Sequence, residues 1–237
     1  MRSNINLHVH TKHSDGLRAM ADVIDELKRT GVMYFSITDH DIVKGNAEAA
    51  ELALQYGMKY CNGIELSCFL DGEGGFCHED ICHILGLDID TEMMHSEQTR
   101  IRNERKQGLR KRSIPNVAEG IEAIHRSGGK AIWAHPFEII RAMMFGTETI
   151  YFKEELSEDK VAEITKSMKG HNIDGLEVYY QEYDNHKITF LERLADEHGL
   201  CRSCGTDYHG RPHDRTCFEK EGITPDVTIV EHLRQFQ

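Results

Sequence analysis

The chain has 237 residues, with 40 acidic against 28 basic side chains and a formal net charge of −12. That length is routine for one α/β barrel, so residues 1–237 are read as a single domain, and the acidic balance excludes a broad polyanion-binding face of the kind duplex nucleic acid demands. The sequence holds neither an apolar run of about 18 residues, as a membrane span needs, nor a signal-peptide pattern, so its seven cysteines are expected as thiols in a cytoplasmic protein.

The first predicted strand lies in the stretch INLHVHTKHSDG from Ile5 to Gly16. Side chains two apart share a strand face, which puts His8 and His10 together and sends Leu7 and Val9 the other way. Two imidazoles aimed at one spot suggest a metal, and Asp15 in the following turn offers a carboxylate to a neighbouring ion. Taken alone, the pair reads equally well as a polar strand end. Met20, Val23, Ile24 and Leu27 have helical spacing within Ala19 to Arg29, stopped by Gly31. A strand from Tyr34 to Thr38 delivers Asp39, His40 and Asp41. A helix over Lys44 to Gln55 ends near Gly57, and a third strand from Met58 to Ile64 ends at Glu65.

Asp71 to Gly75 is a loop by composition, and Ile81 to Ile89 is a buried fourth strand carrying His83. From Glu92 to Arg112 the chain is polar, with Arg100, Arg102, Arg105, Lys106, Arg110, Lys111 and Arg112 toward its end. This run reads as a solvated helical face or, in part, as arginines that reach a substrate phosphate. Val117 to Ser127 is a helix stopped by glycines, and a fifth strand from Lys130 to Ala134 ends at His135. Phe137 to Glu155 has no clear assignment; it is a lid candidate or an ordinary packed loop. A helix from Glu155 to Lys169, a sixth strand from Gly175 to Tyr179 carrying Glu177, and a helix from Asp184 to Glu197 follow. The seventh strand, Cys201 to Gly205, runs into Asp207 and His209. Cys201 and Cys204 fall inside that strand, which suits small buried hydrophobes better than a redox pair.

Strand alternating with helix predicts an α/β barrel, in which residues at the carboxyl ends of the strands converge on one face. Those ends supply His8, His10, Asp15, Asp39, His40, Glu65, His83, His135, Glu177, Asp207 and His209. Imidazoles and carboxylates without paired thiolates suit zinc, manganese or iron in a hydrolytic role.

The motifs HVH and SDG, ITDHD at Ile37 to Asp41, GIELS at Gly63 to Ser67, CHILGL at Cys82 to Leu87, AHP at Ala134 to Pro136, GLEVYY at Gly175 to Tyr180 and GTDYHG at Gly205 to Gly210 together resemble the polymerase and histidinol phosphatase (PHP) superfamily of metal-dependent phosphoesterases. The resemblance implies a distorted (β/α)7 barrel and a centre of three divalent ions, manganese, zinc or iron. It assigns His8, His10, Glu65 and Asp207 to one ion. Glu65 bridges to a second ion held by His83 and His135, and Asp15, His40 and His209 hold the third. It also implies phosphate-ester hydrolysis by a metal-activated hydroxide. The opening and TDHD are most similar to free-standing phosphatases of nucleoside 3′,5′-bisphosphates and exonucleases of short RNA 5′ ends, which points to a nucleotide or short oligonucleotide substrate. Those proteins carry a long helical insertion between the fourth and fifth strands that helps form the substrate pocket, whereas the connection from Leu87 to Lys130 is short here. Lys12 and His13 are candidate phosphate contacts. Asp39 is a candidate for orienting His40, and Glu177 either orients a ligand histidine or is structural. His78, five residues before His83, competes for the same assignment. Two other readings remain: a histidinol-phosphate phosphatase or other metal hydrolase such as an amidohydrolase, and a non-catalytic metal-binding module supporting a partner enzyme.

Overall fold

The computed structural model describes residues 3–70, 80–109, 113–145 and 148–236. Among the described residues nine strands form the sheet: β1 (Ile5–Asn6), β2 (Tyr34–Ile37), β3 (Lys59–Phe69), β4 (Ile81–Leu87), β5 (Lys130–Trp133), β6 (Glu138–Phe145), β7 (Glu148–Glu155), β8 (Gly175–Tyr180) and β9 (Cys201–Gly205). Seven are neighbours in the order β1-β2-β3-β4-β5-β8-β9. The sheet nearly closes on itself where the Leu7 N–H donates to the Cys204 carbonyl at 2.9 Å and Val9 bridges Tyr208 in parallel. Six α-helices accompany it among the described residues: α1 (Met20–Arg29), α2 (Asn46–Tyr56), α3 (Thr91–Lys106), α4 (Val117–Arg126), α5 (Glu158–Gly170) and α6 (Asn185–His198). Among the described residues no helix is long and apolar enough to cross a membrane.

The helices form where local signals agree. α1 buries Met20, Val23, Ile24 and Leu27 on one stripe. α4 starts on a capping box in which Asn116 and Glu119 satisfy each other's backbone N–H. α2 and α6 stop at Gly57 and Gly199, both left-handed.

Three departures from the sequence expectation shape the site. β4 runs antiparallel to both β3 and β5, so its amino end lies at the carboxyl end of the parallel strands. His83 therefore reaches the common face from near the start of β4. β3 does not end at Glu65 but continues to Phe69, because the antiparallel register with β4, Glu65 opposite Leu85 and Phe69 opposite Ile81, takes up its backbone groups. The segment left unassigned after His135 is an antiparallel ribbon of β6 and β7, anchored to the barrel edge by the pairing of Ile140 with Ile81.

The first strand is also shorter than expected. The His8 N–H bonds the Asn6 side chain at 3.2 Å and the Val9 N–H bonds Thr38 Oγ1 at 3.1 Å, so side chains replace ladder partners there. With the alternation interrupted, Leu7 and Val9 do not share a face. Leu7 packs with Leu85, Leu87 and Ile132 inside the barrel, while Val9 packs with residues of α1 and α2. The barrel end opposite the site is plugged by two 3-10 turns, Thr228–His232 and Arg234–Phe236, joined at Leu233; Ile229, Leu233 and Phe236 join the Leu7 cluster.

Candidate metal centre

The nine predicted ligands converge at the carboxyl end of the parallel strands, around Glu65. This carboxylate is fully buried, and its two oxygens face two different sets of imidazoles. Oε2 lies 3.2 Å from His8 Nε2, 3.0 Å from His10 Nε2 and 3.2 Å from His40 Nδ1. Oε1 lies 3.2 Å from His83 Nδ1 and 3.3 Å from His135 Nε2. Asp207 Oδ1 completes the first set at 3.2 Å from His8 Nε2 and 3.1 Å from His10 Nε2. Asp15 lies on the solvent side, 3.2 Å from His209 Nε2 and 3.9 Å from both His40 Nε2 and His10 Nδ1.

These atoms approach one another as ligands of shared ions do. Donors about 2.1 Å from one ion stand roughly 3.0–3.4 Å apart. His8 Nε2 faces His10 Nε2 at 3.1 Å, and His83 Nδ1 faces His135 Nε2 at 3.3 Å, separations at which the two nitrogens of each pair can share one ion. Glu65 Oε2, His40 Nδ1 and His10 Nδ1 are buried without a hydrogen-bond partner, although buried polar groups are normally satisfied. Three groups have the separations a cation requires: His8, His10, Glu65 and Asp207; His10, Asp15, His40 and His209; and His40, Glu65 and His83. His135 Nε2 lies 3.3 Å from both Glu65 Oε1 and His83 Nδ1, so the donor set fits divalent cations.

The electrostatics carry the same message. Burial works against charge on His8, but Glu65, Glu177 and Asp207 outweigh it and hold the imidazole well above its ordinary pKa. Burial likewise opposes charge on His10, and Asp207 and Glu65 raise it to about 9. Despite their own burial, Glu65 and Asp207 are held far below the usual carboxylate range by the facing imidazoles. His40 goes the other way, to about 4, because burial and the neighbouring His10 and His83 outweigh Glu65 and Asp15. So many buried charges need cations, either protons or metal ions.

Around the ligands stands a shell that orients them. Glu177 Oε1 accepts from His8 Nδ1 at 3.0 Å, leaving Nε2 to face the centre, and its Oε2 accepts the His135 N–H at 2.8 Å. A Cβ at Gly205 would lie 2.1 Å from Glu177 Oε1 and 2.4 Å from the His8 Cβ, so only glycine lets this pair meet. Similarly, the Asp207 carbonyl accepts from His209 Nδ1 at 2.8 Å and turns Nε2 toward Asp15. Asp39 acts elsewhere than expected. Its carboxylate meets not His40 but the Thr11 N–H and hydroxyl, both at 2.7 Å, and the Ser14 hydroxyl at 2.6 Å, so it fixes the turn that carries Asp15. Asp41, His135 and Asp207 have positive φ, backbone strain that clusters at functional sites.

The predicted phosphate contacts fare differently. His13 turns toward α2 and pairs with Glu48 at 3.2 Å, away from the centre, because the Thr11–Gly16 turn folds under Asp39. Lys12 is exposed on the same turn. In the basic run, Arg100 is taken up by Glu97 and Glu104. Arg102, Arg105 and Lys106 line a different cavity of about 410 Å³ against Met94 and Ile101. Arg110 to Arg112, Asp71 to Gly75 and His78 lie outside the described residues. Cys204 is buried and Cys201 half-buried, both as free thiols.

Sequence reasoning missed the cations that do border the cleft. Lys153 of β7 and Arg211 line, with His83, His135 and Asp207, a cavity of about 160 Å³ over the centre. The run of β-branched and aromatic residues from Thr149 to Phe152 could have marked β7 as a strand; for Arg211 no signal was present.

Comparison with known proteins agrees with this arrangement. A Haemophilus influenzae 5′-3′ exoribonuclease is 28% identical over 145 residues, covering 57% of this chain and 49% of the relative. A Chromobacterium violaceum 3′,5′-nucleoside bisphosphate phosphatase is 36% identical over 88 residues, covering 37% of this chain and 28% of the relative. The chain thus spans half or less of these two curated relatives. A solved C. violaceum structure, described as an amidohydrolase with bound sulfate, superposes with a TM-score of 0.71 at 21% identity, covering 98% of this chain and 96% of the other, a likeness of fold. The PHP domain family matches residues 6–224, a span that takes in all nine converging side chains and every strand of the barrel except the first residue of β1: this chain belongs to the PHP domain family.

Proposed function

We propose that the chain is a single metal-dependent phosphoesterase domain, whose substrate is a small phosphate monoester such as a nucleotide or nucleoside bisphosphate, or the 5′ end of a short RNA. One observation carries the reading: the two oxygens of buried Glu65 each face a different imidazole set at 3.0–3.3 Å, the disposition of a carboxylate shared between two ions. His8, His10, Glu65 and Asp207 would hold one ion, Glu65, His83 and His135 a second, and Asp15, His40 and His209 a third. Manganese, zinc or iron bound there would supply Lewis acidity and a nucleophile competent at neutral pH.

The residues themselves position and screen. Glu177 fixes the His8 tautomer, and Asp39 fixes the turn of Asp15. Lys153 and Arg211 add positive charge on the open side, where the equatorial oxygens of a transferring phosphoryl group develop charge. The relatives' names favour nucleotide and RNA 5′ ends as the substrate class to test first. His8→Ala and Asp207→Ala should each reduce manganese-supported phosphate release from a panel of nucleotides, bisphosphates and short RNAs to background. Retained turnover in both variants would refute the assignment.

A further inference from the structure

The ribbon of β6 and β7 follows β5 and borders the cleft through Ile139, Ile140 and Lys153. We propose that this ribbon recognises a nucleotide: Lys153 takes a substrate phosphate oxygen, and Tyr151 stacks on the base. The inference rests on the phosphate-ester reading above and names the groups that would select a nucleotide within it.

The register places these two side chains on one face. Lys153 pairs with Ile140 and Tyr151 with Ala142, and residues two apart in a strand share a face roughly 6.8 Å apart. Because Ile140 is the residue that meets β4 at Ile81, Lys153 sits at the barrel edge and Tyr151 one step outward along the ribbon. Lys153 lines the cavity over the centre together with Ile140 and Asp207. Its ammonium is held there by Glu138 Oε2 at 2.9 Å, and the charges of Glu138, Asp207 and Glu65 raise its pKa against the effect of burial. Tyr151 is 55% exposed, an aromatic ring open to solvent on the strand face that carries Lys153. A phosphate at Lys153 would leave the sugar spanning one strand repeat and the base over that ring. Base stacking on an aromatic ring tolerates any base, which suits a substrate read by its phosphate.

The ribbon is braced for this role from its other face. Arg141 bonds Asp80 at 2.6 Å and Glu154 at 2.6 Å, tying β6 to the residue before β4. Phe152, paired with Arg141, lies on that opposite face and serves as the control.

The test compares a nucleoside 5′-monophosphate with ribose 5-phosphate, using the manganese-loaded chain. Tyr151→Ala should raise KM for the nucleotide by about five-fold or more, leave kcat unchanged and leave ribose 5-phosphate unaffected, and Tyr151→Trp should restore the nucleotide KM. Lys153→Met should raise KM for both substrates by about ten-fold, with recovery in Lys153→Arg. Phe152→Ala should change neither. Equal KM shifts for both substrates in Tyr151→Ala, or no shift in either variant, would overturn the ribbon's role while leaving the phosphoesterase reading intact. A wild-type chain that hydrolyses neither substrate, nor any other phosphate ester offered, would overturn both.

Discussion

At the carboxyl end of the parallel strands, buried carboxylates and imidazoles crowd around Glu65, and Glu65 Oε2, His10 Nδ1 and His40 Nδ1 lack hydrogen-bond partners. At the other end, Leu7, Leu85, Leu87 and Ile132 pack against Ile229, Leu233 and Phe236. The polar groups there are satisfied: Asp174 accepts from His125 at 2.7 Å, Lys130 at 3.0 Å and the Ala131 N–H at 2.9 Å, and Asp88 accepts from the Arg234 side chain and backbone. Asp174 and Asp88 are satisfied within the fold, whereas the groups around Glu65 lack partners that a bound cation would supply. The difference separates residues kept for chemistry from residues kept for folding.

That separation can be broken from either end. The largest effect is expected at Glu65: Glu65→Ala should take phosphate release to background. It should also abolish the rise in melting temperature that manganese gives the wild type, a linkage worth about 2.7 kcal/mol at a hundred times the dissociation constant. At the opposite end, Leu233→Ala should cost about 2–5 kcal/mol of stability through the cavity it leaves, measured by urea unfolding, with kcat of the folded protein unchanged. If Leu233→Ala removed activity at temperatures where it stays folded, the two ends would be coupled.

Smaller changes sharpen the contrast. Glu177→Gln keeps the shape but weakens the orientation of His8, so manganese affinity measured by calorimetry should fall about 10–100-fold, with the fold intact by circular dichroism. Asp174→Asn should cost about 1–2 kcal/mol at neutral pH. Burial alone would raise the Asp174 pKa, but the bonds from His125, Ala131 and Lys130 prevail and lower it. A depressed carboxylate pKa contributes stability above its unfolded value of about 3.9 and loses it as pH falls through the folded value. The melting-temperature gap between wild type and Asp174→Asn should therefore be widest above pH 5 and narrow toward pH 3; a gap independent of pH would assign it to packing.

Much of the active end could be read in the sequence because its signals are local. His8 with His10, the Asp39-His40-Asp41 turn and Asp207 with His209 each announce themselves within a few residues, and α1, with its apolar stripe and glycine stop, begins within one residue of its expected start. What escaped depends on partners distant in sequence. Nothing near Ile81 signals that β4 runs antiparallel, since a continuous apolar run reads alike in either direction. The continuation of β3 past Glu65 exists only because β4 pairs with it. Asp39 was expected beside the histidine that follows it, yet the turn from Thr11 to Ser14 supplies its donors. The ribbon bearing Lys153 offers only Gly146 as a turn signal between its two strand-forming runs, too little by itself to mark a hairpin.

The most direct test of the central claim, that the converging imidazoles and carboxylates hold catalytic cations, is phosphate release from a nucleotide panel by protein stripped of metal, before and after manganese is restored. The account predicts no turnover in chelator and recovery on adding manganese, with Glu65→Ala failing to recover; full activity in the stripped wild type would contradict it.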